Sequence, residues 1–244
     1  LWGVQQSSEL ILQKLTATMD NSNPAAEVYA VIASELTNSG GIPLGTPFES
    51  ESNVVEIQDG CLIRGDGSLM GVHVDLGRGH RIGVSILDSL VALDGVALEL
   101  QNARVGQGIQ VERNIRIYCE ASTFYTAEGF ARLVYKEVEQ PLLSLNRNSE
   151  SCVYASRNGA PHLTIQGIGT ESVLANLDRF LLRGSDNAYD QNIQTLCRCL
   201  DRDDVGIFSF GFNESAQSGW FEERGNERQI RWRRPLDPML DLTQ

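Results

Sequence analysis

Between Asn53 and Ile117 apolar residues tend to recur at every second position, and Asp-Gly pairs interrupt them. Val55 and Ile57 precede Asp59-Gly60. Leu69, Val72, Val74 and Leu76 follow Asp66-Gly67. Ile82, Val84 and Ile86 follow Gly77-Arg78-Gly79, and Val96, Leu98 and Leu100 follow Asp94-Gly95. A period of two belongs to strands with unlike faces, because successive side chains point to opposite sides. Asp-Gly is a strong hairpin signal, since glycine takes positive φ without a Cβ clash. Residues 53–119 therefore read as an antiparallel meander of five or six strands, with one face buried and the other wet or at an interface.

The flanks read as helical. Leu10, Ile11, Leu12, Leu15 and Met19 form a stripe at helical spacing. Asn23 caps a second helix, Pro24 suits its first position and Glu27 its first turn; Val28, Val31, Ile32 and Leu36 give it an apolar face. After Glu120 a helix opens at Thr123 or Thr126, carries Phe130, Leu133, Val134 and Val138, and stops at Pro141. Cys152–Ala155 and Leu163–Ile168 read as two strands joined by an Asn158-Gly159 hairpin turn. Thr170 and Asp186 open two more helices, and Val205–Phe212 is a last strand.

The expected fold class is thus α+β: N-terminal helices, an antiparallel meander, then a β-α-β-β-α-β half. No internal repeat is evident. Three segments follow: an N-terminal helical segment and linker (1–48), an α+β core (49–212, with the meander at 53–119 and the α/β half at 113–212), and an Arg- and Trp-containing extended tail (213–244). The element order from Arg113 to Phe212 is similar to the ferredoxin-like split βαβ arrangement. The order helix, meander, helix, hairpin, helix resembles that of acidic secretion chaperones.

The net charge of −12 disfavours binding to phosphate backbones or anionic lipid. No apolar run is long enough to span a bilayer, and residues 1–20 lack the basic start of a signal peptide. The cysteines, Cys61, Cys119, Cys152, Cys197 and Cys199, are odd in number and scattered. They read as buried free thiols of a reducing, cytoplasmic compartment. Lys14 and Lys136 are the only lysines, which leaves 18 arginines among the 20 basic residues. Arginine forks suit fixed ion-pair networks and interfaces.

Chemistry-bearing residues are few. His73 and Asp75 share a face if they lie on a strand, and with His162 they would make a metal set resembling the facial triad of iron-dependent oxygenases. The plainer reading is a surface His-Asp pair beside the Gly79-His80-Arg81 turn, with no metal and no cofactor. Cys61 or Cys152 with His73, His80 or His162 would be a thiol nucleophile and base, but neither cysteine has an activating context, and a small buried hydrophobe is the commoner fate. Cys197-Arg198-Cys199 lacks zinc-ligand spacing. Arg228, Arg231, Arg233 and Arg234 surround Trp232, a mixture suited to a protein partner or to self-association; only this tail offers anything to nucleic acid.

The function read from these features is a non-catalytic interaction subunit, structural or chaperone-like, of a larger assembly. A metal-dependent or hydrolytic enzyme using His73, Asp75 and His162 is the first alternative. A lysine-depleted secreted or viral effector is the second.

Overall fold

In a computed structural model, the described residues are 2–4, 9–21, 28–34, 52–74, 81–102, 114–135, 144–167, 179–201, 203, 205–217, 219, 221–224 and 229–230. Their strands fall into three sheets. The first contains β1 (Trp2–Val4), β4 (Tyr29–Ser34), β7 (Ser68–Val74), β10 (Leu98–Asn102), β13 (Ala131–Val134), β16 (Leu163–Gln166), β19 (Cys197–Leu200) and β20 (Gly206–Phe210). The second contains β2 (Glu9–Gln13), β5 (Ser52–Gln58), β8 (Arg81–Leu87), β11 (Asn114–Glu120), β14 (Ser144–Glu150), β17 (Phe180–Ser185) and β21 (Phe221–Arg224). The third contains β3 (Thr16–Met19), β6 (Leu62–Gly65), β9 (Leu90–Leu93), β12 (Thr123–Thr126), β15 (Val153–Ser156), β18 (Ala188–Asp190) and β22 (Gln229–Ile230).

Each sheet takes every third strand up to β19, and every pairing is parallel except β19 with β20. Among the described residues the chain visits the three sheets in turn and returns one strand higher, so these residues wind as a parallel β-helix of seven coils, each advancing by about 4.8 Å. Strands from the three sequence segments, 1–48, 49–212 and 213–244, enter the same sheets.

The α+β expectation is therefore overturned. Leu10, Leu12, Leu15, Ala17 and Met19 lie on β2, a corner and β3 rather than on a helix. Two period-two strands joined by a two-residue corner contain one three-residue step, from Leu12 to Leu15, and that slip imitates a helical stripe. Tyr29–Ser34 is a strand, while Asn23, Pro24, Glu27 and Leu36 lie outside the described residues. The helix expected from Thr123 is β12 and β13, and that from Asp186 is β18 and β19. Of the helix from Thr170, the described part is β17. The extended tail begins instead with α1 (Phe212–Gln217), the one helix among the described residues, and continues as β21 and β22. The seven coils are an internal repeat that the sequence does not announce, because each sheet position asks only for an apolar inward side chain.

The meander is corrected in the same way. Asp59-Gly60, Asp66-Gly67 and Asp94-Gly95 do turn the chain, but each passes it from one sheet to the next. Asn158-Gly159 likewise leads from the third sheet to the first. In each of the first six coils the corner between the second and third sheets carries a left-handed non-glycine residue: Lys14, Asp59, Asp88, Ala121, Ser151 and Asp186 have φ from 44° to 60°. Their stacking carries the ladder around the bend, as in Asp88 N–H to Glu120 O (3.0 Å), Ala121 N–H to Glu150 O (3.0 Å) and Ser151 N–H to Ser185 O (3.0 Å).

Candidate functional site

The interior changes character along the axis. On the second sheet one inward row reads Leu12, Ile57, Ile86 and Cys119, then Ser149, Gly184 and Glu223. The next reads Leu10, Val55, Val84 and Ile117, then Arg147, Leu182 and Phe221. Aliphatic packing thus gives way to a polar cluster in the last three coils. Arg147 is wholly buried and forms an ion pair with the equally enclosed carboxylate of Glu223. Tyr189 donates its hydroxyl to Glu223 Oε1 (2.6 Å), and Arg147 donates to the Tyr189 oxygen (3.3 Å). The Asn187 amide donates to Glu223 Oε2 (3.2 Å) and Ser149 Oγ (3.0 Å), while its oxygen accepts from Cys152 N–H (3.0 Å).

Aromatic rings enclose this cluster. Phe124, Tyr154 and Tyr189 stack on successive coils, with centroids 5.3 and 5.2 Å apart. Phe130 and His162 form a parallel column at 5.0 Å, and the Arg147 guanidinium lies 5.0 Å from the Tyr154 ring. His162 Nε2 is 2.6 Å from Arg147 Nη1 and can only accept there, since guanidinium has no lone pair to offer. Burial, then the Arg147 charge, holds the His162 pKa well below its ordinary 6.5. His162 is therefore a neutral acceptor sealed from solvent, with 1% exposure.

His73 lies on β7 in register with Gln101; its side chain, Asp75 and His80 lie outside the described residues. Among the described residues no group of three or more His, Cys, Asp or Glu side chains gathers to hold a metal ion. All five cysteines are buried and unpaired. Cys61 and Cys152 occupy the inner corner position that Ser89 and Ser122 fill in other coils. The thiol of Cys61 donates to Gln58 O (3.2 Å) and that of Cys152 to Glu150 O (3.4 Å), as the Ser122 hydroxyl does to Glu120 O (2.8 Å). Burial pushes the Cys152 and Cys119 thiols up, away from the reactive thiolate. Trp232, Arg228, Arg231, Arg233 and Arg234 lie outside the described residues.

Two outward faces carry polar side chains. On the first sheet Glu99 is fully engaged: Tyr29 Oη donates to Oε1 (3.0 Å), Gln101 Nε2 to Oε1 (2.6 Å), and Arg132 binds Oε2 through both Nε and Nη2. Burial raises its pKa, but these bonds and the Arg132 charge outweigh that and bring it below 4.5. On the second sheet Gly83 and Ser85 form the floor of a depression of about 400 Å³ crossing β5, β8, β11 and β14. The register places Arg116 beside Asn146 and Tyr118 beside Asn148 along its wall. Arg116 and Asn148 are exposed and Asn146 half-buried, and among the described residues none of the three forms a side-chain hydrogen bond or ion pair.

No motif in the sequence marks Arg147, Glu223 or the residues of the depression. In Ser144–Glu150 the parity was readable: Arg147 shares its face with Leu145 and Ser149, so a strand here must bury an arginine. Nothing local points to Glu223, which follows Glu222 in a segment whose composition reads as an extended tail. No family model, no curated protein and no solved structure matches the chain.

Proposed function

We propose that the protein is a non-catalytic interaction subunit, and that it meets its protein partner, or a second copy of itself, at the depression on the second sheet. One observation carries this reading: among the described residues Arg116, Asn146 and Asn148 have no side-chain partner, and they stand around the Tyr118 ring over a floor of Gly83 and Ser85 on strands paired on both sides. Arginine and tyrosine dominate interface energetics, because each combines a large contact area with directed hydrogen bonds. The backbone groups of these strands are spent in the ladders, so recognition on this face proceeds through side chains. The engaged Glu99 on the first sheet has no comparable capacity. Catalysis through His162 or Cys152 has no support from their enclosure, because a solvent-borne substrate reaches neither.

The test is capture from native extract together with sedimentation, using wild type and the double variant Arg116→Glu/Tyr118→Ala. The reading expects a partner, or a dimer, retained by wild type and lost by the variant at unchanged melting temperature. Retention of every partner and of the same mass by the variant would refute it.

A further inference from the structure

The enclosed cluster ties the last coil to the two before it. Arg147 belongs to β14, Asn187 and Tyr189 to the following coil, and Glu223 to β21. β21 is four residues long and β22 only two. Among the described residues each of these strands pairs on one side only. In a stacked repeat each unit rests on its neighbours, so a coil of short strands with one described neighbour is held less firmly than one gripped by long strands on both sides. α1 completes this coil: Phe212 packs on Tyr189 at 4.9 Å and on Phe221 at 5.8 Å, covering the end of the aromatic column.

We propose that the last described coil, made of β20, α1, β21 and β22, is an acid-operated closure over the interior, released when His162 takes a proton against Arg147. With His162 neutral, the cluster holds one cation, Arg147, and one anion, Glu223, and the pair is balanced. A proton on His162 places a second cation 2.6 Å from the first, with one carboxylate for both. A buried, uncompensated charge costs several kcal/mol, whereas in water each ion is solvated. Opening the last coil admits that water.

Among the described residues no other group facing His162 absorbs the added charge. Arg147 faces it from β14, Tyr154 from β15 and Tyr189 from β18, and burial raises both phenols, so they stay neutral. Cys119 and Cys152, beside Arg147 and Tyr154, are held as thiols. The peptide N–H of His162 bonds Thr195 O (3.2 Å), and the Asp190 carboxylate is turned to the Asn192 N–H (3.0 Å).

The experiment is hydrogen–deuterium exchange on the full chain at pH 7.5, 6.5 and 5.5, corrected for the intrinsic rate. The expected result is that protection of residues 221–224 falls about tenfold per pH unit below ~6.5, the consequence of one proton bound on opening, while residues 82–87 hold theirs. The variant His162→Gln keeps an acceptor for Arg147 and cannot titrate; in it the pH dependence at 221–224 should vanish. Equal loss of protection in both regions, protection at 221–224 independent of pH, or an unaltered pH dependence in His162→Gln would each overturn the proposal. If that variant does not fold, the wild-type comparison of the two regions decides alone.

Discussion

Arg147 and Glu223 meet inside the coil across an intervening strand, and Gly184 on that strand leaves the room. A Cβ at Gly184 would fall 2.1 Å from Ser149 O and 2.6 Å from the Asn187 amide nitrogen that holds Glu223. The pair therefore depends on a position with no side chain as much as on its two charges.

Removing one member of that pair should be worse than removing both. Arg147→Met leaves the Glu223 carboxylate buried without its cation and should cost about 3–5 kcal/mol. Arg147→Met with Glu223→Leu replaces the pair by apolar volume and should recover most of that loss. Urea unfolding of both variants at neutral pH measures the difference; equal losses would mean that the pair is not enclosed as described.

Two left-handed glycines should respond differently to alanine. Gly60 (φ +79°) has open space at its Cβ position, whereas at Gly129 (φ +100°) a Cβ would lie 2.1 Å from Pro161 O. Gly60→Ala should cost only the backbone strain, about 1 kcal/mol. Gly129→Ala should add a steric displacement of the neighbouring coil and exceed it by more than about 1 kcal/mol. Thermal unfolding of the two variants compares them directly.

The Glu99 carboxyl should titrate below 4.5 in the folded protein, as read by its carbon chemical shift. Its folded pKa lies below the unfolded one, so its contribution to stability is present above pH 4.5 and disappears as pH falls through the folded value. Arg132→Ala should move the midpoint up, because burial then acts with less opposition.

None of the five thiols should react with a disulfide reagent at neutral pH in the native state, and all five should react in urea. Rapid native modification of Cys152 would restore it as a nucleophile.

That much of this chain is extended, and where several of its turns fall, is legible in the residues. Period-two alternation in Val55–Ile57 and Ile82–Ile86, and left-handed bends at Asp59-Gly60 and Asp66-Gly67, are local properties of backbone sterics and side-chain direction, so they are readable from neighbours in the chain. Which strand pairs with which depends on how the coils stack. A positive φ serves a hairpin and a sheet-to-sheet corner equally, and Ile57 meets Ile86 while Cys119 meets Ser149 because whole coils stack in register. The same stacking gathers Arg147, His162, Tyr189 and Glu223 from four separated strands and corners into one enclosure. No local pattern encodes that meeting, because the energy that selects it, burial of one coil's inward face against the next, exists only once the coils are in place.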